Sequence, residues 1–159
     1  MKNKTLLFVS IVLALVLSAC RANISRNGDG SATVTTTISQ QELQEAINAA
    51  IADPLIQELN VSLQSGYLTV TGTRQRLNDA SKSDSLSFRL DLTVSNGQLT
   101  ATISNALLDN QPIEQNRIDH WNETISSRIG KFGVKNPNSS LQAVSITPEA
   151  VTLTWLISK

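Results

Sequence analysis

The sequence is poor in the residue types that most metal sites and many enzyme sites require. It has one cysteine, Cys20, and one histidine, His120. A single cysteine excludes an intrachain disulfide and a thiolate metal cluster. A single histidine removes most zinc sites and leaves only one histidine base for a catalytic triad. We therefore expect no metal, no cofactor and no enzymatic activity.

Aromatic residues and excess charge are also scarce. Aromatics make up 4% of the chain, which is too few for a platform on which bases or sugars would stack. The formal net charge is zero, and without Lys2 and Lys4 two more acidic than basic residues remain. Proteins that bind nucleic acid neutralise phosphates with clustered lysine and arginine. We expect no nucleic-acid partner.

The N-terminus has the pattern of an export signal. Residues 1–5 carry two lysines, and residues 6–17 are apolar except for Ser10. This run is shorter than the about 20 apolar residues that a membrane-spanning helix needs. It ends in Leu17-Ser18-Ala19-Cys20, an aliphatic residue, two small residues and a cysteine. This ending resembles the lipobox of bacterial lipoproteins.

The lipobox resemblance implies a membrane anchor at Cys20. In that family the cysteine sulfur receives a diacylglyceryl group, and cleavage makes this cysteine the first residue of an extracytoplasmic protein of the cell envelope. An ordinary core cysteine or an uncleaved anchor helix would fit less well, because Cys20 directly follows a short apolar run. We therefore divide the chain into a signal peptide (1–19), a flexible tether from lipidated Cys20 (20–31) and one domain (32–159).

The start of that domain predicts a strand and a helix. Apolar and polar residues alternate over 32–38, as in a half-buried strand. Ser39 and Glu42 then form a capping box, in which each side chain bonds the other's main chain at a helix start. Helical spacing follows in Leu43, Ile47, Ala50 and Ile51. Asp53-Pro54 ends the helix, because a residue before proline disfavours the helical conformation.

Two hairpins follow, and their turns set their registers. Ser65-Gly66 suits a two-residue turn, and Asn96-Gly97 is typical of a type I′ turn. The first turn places Leu63 opposite Leu68, Val61 opposite Val70 and Leu59 opposite Gly72. The second places Val94 opposite Leu99, Leu92 opposite Ala101, Leu90 opposite Ile103 and Leu86 opposite Leu107. Both registers collect the apolar residues on one face, and a slip of one residue would destroy this agreement.

The remaining sequence predicts a second helix and a closing hairpin. The helix would begin near residues 109–112, where Pro112 is acceptable in a first turn. Its apolar stripe is Ile118, Trp121, Ile125, Ile129 and Phe132. A turn at 147–150 would pair Ile146 with Val151 and Val144 with Leu153. The sequence thus predicts an α+β domain, an antiparallel sheet meander with two helices packed on one face, in the order β-α-β-β-β-β-α-β-β.

This order of elements resembles small lipid-binding lipoproteins of the tubular, TULIP-like kind. The resemblance covers the chain from about Ile38 onward and includes the amphipathic strands around residues 92–99. It implies a curved sheet wrapped around a helix, with an apolar seam that accepts acyl chains. The candidate seam residues in this chain are Ile118, Trp121, Ile125, Ile129, Leu92 and Trp155.

Two functions remain open at this point. The chain is either an anchored module that binds a lipid or another apolar ligand in the seam, or a structural or interaction lipoprotein with a filled core. In the second case its polar sheet face would meet a protein partner. Trp121 and Trp155 distinguish the two, since they line the seam in the first and are ordinary core residues in the second.

Overall fold

The computed structural model describes residues 21–159 of the chain. The predicted signal peptide (1–19) and the predicted lipidation site, Cys20, therefore lie outside the described residues. The strands and helices are β1 (Arg21–Arg26), β2 (Ala32–Ser39), α1 (Gln40–Ile51), β3 (Ile56–Leu63), β4 (Leu68–Gln75), β5 (Ser83–Ser95), β6 (Gln98–Leu108), β7 (Gln111–Pro112), α2 (Gln115–Gly130), β8 (Ser139–Ile146) and β9 (Ala150–Ile157).

The α+β class is confirmed, and the antiparallel strands are divided between two sheets. β3 to β7 form a five-stranded sheet in which each strand pairs with the next, as in the predicted meander. The closing hairpin does not extend this sheet. It joins the N-terminal strands in a four-stranded sheet of order β1-β2-β9-β8. The edge of β6 is occupied by β7 and by side chains of α2, so β9 pairs with β2 instead.

Both predicted hairpin registers are confirmed near their turns. The Ser65-Gly66 turn gives all three predicted pairs, and the Asn96-Gly97 turn gives the pairs of Val94, Leu92 and Leu90. Leu86 lies opposite Leu108, whereas the prediction placed it opposite Leu107. A β-bulge causes this shift, since Asn105 has a φ of 52° and adds one residue to β6.

The start of α1 agrees with the capping-box prediction. The Ser39 main-chain N–H donates to the Glu42 carboxylate at 2.8 Å, and the Glu42 N–H donates to Ser39 Oγ at 3.3 Å. The helix ends at Ala52, which adopts the left-handed conformation with φ 47°. The four predicted stripe residues are its buried ones: Leu43, Ile47, Ala50 and Ile51.

The second helix begins later than predicted. Asp109 and Asn110 have φ values of 50° and 62°, as in a two-residue type I′ turn. They join β6 to β7, so Pro112 belongs to a short strand and α2 starts at Gln115. The polar, proline-containing segment resembled a helix start because turns and helix N-termini favour the same residues.

The predicted tether contains a strand. Residues 21–26 pair with β2 along their whole length, from Arg21 opposite Thr37 to Arg26 opposite Ala32. The turn that follows is held by Asp29, whose carboxylate accepts hydrogen bonds from the N–H and Oγ of Ser31. The prediction failed at 21–26 because strand pairing uses the main chain, whereas the sequence signal for a strand is an apolar pattern.

The core lies against one face of the five-stranded sheet. Its strands bury alternate residues on one face, and both helices contact that face and each other. β8 crosses the hairpin turns at one end of this sheet. The Gly66 N–H donates to the Ile146 carbonyl at 3.0 Å, and the Leu141 N–H donates to the Gly97 carbonyl at 2.8 Å. The two sheets therefore enclose one continuous core.

The helices also close the two edges of the five-stranded sheet. On β3, the Val61 carbonyl accepts a hydrogen bond from Gln40 Nε2 of α1 at 2.8 Å. The Val61 N–H donates to Gln44 Oε1 of the same helix at 3.4 Å. On β6, the Ala101 N–H donates to Ser126 Oγ and the Ile103 N–H donates to Asn122 Oδ1, both at 2.8 Å. Unpaired strand edges invite pairing with other chains, and these side chains occupy them.

We expect Asn122→Ala to weaken the domain because it leaves the main-chain N–H of the buried Ile103 without its acceptor. The free energy of unfolding should fall by about 1–3 kcal/mol. Glu123→Ala, at the exposed neighbouring position, is the matched control and should change it by roughly 0.5 kcal/mol or less. Chemical denaturation measures both, and amide hydrogen exchange at Ile103 should accelerate only in the first variant. Equal effects of the two variants would contradict the edge-closing role.

Candidate functional site

The predicted seam begins with one face of α2. Trp121, Ile125 and Ile129 follow one another at helical spacing and are 4%, 0% and 0% exposed. Ile118, one turn earlier, is half-buried and packs against the same cluster. The helix places these side chains towards β6 and α1, the two elements that it contacts most. The predicted apolar stripe is therefore the buried face of the helix.

The other two seam residues lie on different sheets. Leu92 belongs to β5 of the five-stranded sheet, whereas Trp155 belongs to β9 of the four-stranded sheet. The expectation that α2 packs on one sheet face holding both is wrong, because the closing hairpin leaves the meander. Leu92 and Trp155 are 6% and 7% exposed and belong to the same core cluster as the helix residues.

The seam is filled by aromatic and aliphatic side chains. The rings of Trp121 and Phe88 have centroids 6.0 Å apart and are tilted by 33°, a separation typical of packed aromatic pairs. Phe88 is 3% exposed and lies on the inner face of β5. The sequence showed Phe88 as one apolar residue of an alternating strand, and gave no sign that it would contact Trp121.

Trp155 is enclosed by the chain that follows α2. A Cβ atom built at Gly133 would overlap the Trp155 indole ring, so the main chain passes directly over the ring. Within residues 21–159, the Trp155 Nε1 atom is buried and has no hydrogen-bond partner. Gly133 therefore has a role in packing. Its packing role could not be read from sequence, because it depends on β9 lying beneath it.

Surface depressions occur elsewhere on the described part of the chain. One of about 420 Å³ lies between α1 and β3, and one of about 570 Å³ lies at the loop between β4 and β5. Polar and charged side chains dominate both linings. The first is lined by Gln44, Glu45, Asn48, Ile56, Gln57, Glu58, Leu59 and Asn60. Neither contains a residue of the predicted seam.

The outer face of the five-stranded sheet carries an ordered polar cluster. The Arg89 guanidinium lies 4.0 Å from the centre of the Tyr67 ring, and it donates two hydrogen bonds to Asp91, at 2.8 and 2.7 Å. The Arg89 hydrogen bonds hold the pKa of Asp91 below its usual value, and Asp91 raises the pKa of Arg89. The two-residue period of β5 places Arg89 and Asp91 on the face opposite the buried Leu90 and Leu92, whereas no sequence signal indicated the contact with Tyr67.

The described residues offer no arrangement typical of metal chemistry. Among residues 21–159, no group of three or more His, Cys, Asp or Glu side chains is placed to hold a metal ion. His120 lies on the exposed face of α2, beside Glu123 and Arg128, along a shallow depression of about 330 Å³. No helix within residues 21–159 is long and apolar enough to cross a membrane.

Comparisons of this chain with protein-family models, with curated proteins and with solved structures found no match.

Two glycines at the end of α2 give a matched test of the Trp155 packing. Gly133→Ala should destabilise the domain by about 1–3 kcal/mol, because the new methyl group must displace the indole ring. Gly130→Ala meets no atom within 4 Å and should stabilise the helix end by roughly 0.5–1 kcal/mol. Thermal unfolding measures both effects. A Gly133→Ala variant as stable as the parent would mean that the main chain does not rest on Trp155.

Proposed function

We propose that this chain is a bacterial lipoprotein, held by Cys20 in a membrane of the cell envelope, whose folded domain acts by binding another protein. The basis for the anchor is the export signal ending in Leu17-Ser18-Ala19-Cys20. A diacylglyceryl group carries two acyl chains, and two chains hold a protein on a bilayer stably whereas one does not.

The observation that favours a protein partner over an apolar ligand is the closed contact between α2 and the sheets. Of the six candidate seam residues, five are at most 7% exposed and Ile118 is half-buried. A lipid would need space that Trp121 and Trp155 now fill. A carrier would therefore have to separate α2 from the sheets, and this would expose a large part of the core.

The Tyr67–Arg89–Asp91 cluster supports the outer sheet face as the binding surface. Tyrosine and arginine are enriched among residues that contribute most to protein interfaces. Here both are held in place before any partner arrives, by a cation–π contact and a two-point ion pair. Side chains that are already ordered lose less conformational entropy on binding.

The anchor is tested by fatty-acid labelling of cells that produce the full chain. The parent should carry label at Cys20, and Cys20→Ala should lose it while keeping its folded domain. Ser18→Thr is a control that keeps a small residue in the lipobox and should retain some label. Label in the Cys20→Ala protein would contradict the anchor.

The closed core is tested on the unlipidated Cys20→Ala protein purified without detergent. We expect mass spectrometry of organic extracts to find no lipid in stoichiometric amount. Trp121→Ala should lower the free energy of unfolding by about 3–5 kcal/mol, because Trp121 is a core residue. His120→Ala, its exposed neighbour, should change it by roughly 0.5 kcal/mol or less. Stoichiometric bound lipid, lost in Trp121→Ala with little change in stability, would instead establish the lipid-carrier function.

A further inference from the structure

Strand β1 forms an open sheet edge. Gln40 and Gln44 close the edge of β3, and Asn122 and Ser126 close that of β6. β8 is bonded near its two ends to hairpin turns of the other sheet. Within residues 21–159, β1 pairs with β2 on one side and with no strand on the other. The other long edges are thus each bonded at two points, whereas within residues 21–159 no strand pairs with the outer edge of β1.

The free edge displays an apolar side chain. Ile24 lies directly opposite Val34, so both side chains point to the inner face of the four-stranded sheet. Val34 is 4% exposed, whereas Ile24 is 70% exposed, because the core does not extend beneath β1. Leu77, in the loop between β4 and β5, is the other large hydrophobic residue with such exposure, at 78%. Leu77 lies at the opposite end of the meander from the turns that β8 crosses.

Two cationic side chains, Arg26 and Lys159, lie near this edge together with one acidic side chain, Asp29. Arg26 ends the strand, and the Lys159 side chain lies near Gly30 in the following turn. The ion pairs of the described residues involve neither Arg26 nor Lys159. The one acid in the turn, Asp29, is bonded to Ser31. Cations that form no ion pair within the described residues suit the headgroups of an anionic bilayer. The exposed isoleucine beside them suits the boundary of its acyl layer.

The proposed anchor at Cys20 would hold β1 close to the membrane. Arg21, the first described residue of β1, directly follows Cys20 in the sequence, so no linker separates the strand from the proposed anchor. Four extended residues span at most about 14 Å, which limits how far Ile24 can lie from Cys20. We propose that β1 lies along the surface of the membrane that holds Cys20, with Ile24 entering the acyl boundary and Arg26 on anionic headgroups. This inference rests on the proposed lipidation.

The charge at the end of β1 favours a bilayer over a second copy of the chain. Arg26 lies at a sheet edge, and charged residues at an edge are a common means of preventing association between sheets. The same charge is attracted to an anionic lipid surface.

A fluorescent probe at position 24 tests this orientation in the full lipoprotein. Ile24→Cys and the control Leu77→Cys are labelled with a thiol-reactive, polarity-sensitive dye, since lipidation consumes the sulfur of the chain's only other cysteine. Each protein is reconstituted in vesicles of phosphatidylethanolamine and phosphatidylglycerol containing a lipid with a nitroxide quencher near its headgroup. We expect blue-shifted emission and several-fold stronger quenching at position 24 than at position 77. Adding Arg26→Glu should weaken the quenching at position 24.

The outcomes separate this inference from the proposed anchor. Mass spectrometry of the N-terminal peptide reports lipidation independently of the dye. A lipidated Cys20 with equal, weak quenching at positions 24 and 77 would overturn the orientation and leave the anchor intact. An unmodified Cys20 would overturn both. A blue-shifted emission at position 24 that is lost when the ratio of protein to lipid is lowered would indicate contact between two copies. This result would overturn the proposed orientation.

Discussion

The fold depends on hydrogen bonding at the edges of its larger sheet. A sheet that packs two helices on one face must still satisfy the main-chain groups that its outer strands turn away from their neighbours. Here α1 and α2 fill the core with their apolar faces. Their polar side chains also bond to the sheet: Gln40 and Gln44 of α1 to β3, and Asn122 and Ser126 of α2 to β6. Each helix is therefore fixed in position along the strand that it borders, and the core has one arrangement.

The sequence predicted what local rules determine. Asn96-Gly97 has few turn types open to it, and a strand period of two then fixes which residues share a face. The capping box at Ser39 and Glu42 is equally local, since it depends on residues three positions apart. These signals were sufficient for the α+β class, the core faces and the two hairpin registers near their turns.

The differences arise where distant parts of the chain meet. Division into two sheets depends on β9 pairing with β2, which no nearby residue signals. The prediction of a single sheet put Trp155 together with Leu92 for the same reason. The contact of Gly133 with Trp155 depends on the true position of β9 and could not be foreseen. The β1 strand was missed because residues 22–26 are exposed and include only one large apolar side chain, Ile24. Of the candidate site, the helix stripe was predictable and its surroundings were not.

The pairing of β2 with β9 also constrains when the protein can fold. Val34 and Trp155 are neighbours in the four-stranded sheet but lie near opposite ends of the chain. During synthesis the N-terminal strands emerge first, and β2 must wait for β9 before its inner face is covered. Contacts between distant residues slow folding and leave strands exposed to aggregation. We therefore expect the meander and its helices to fold first, with β1 and β2 unprotected until β9 has been synthesised.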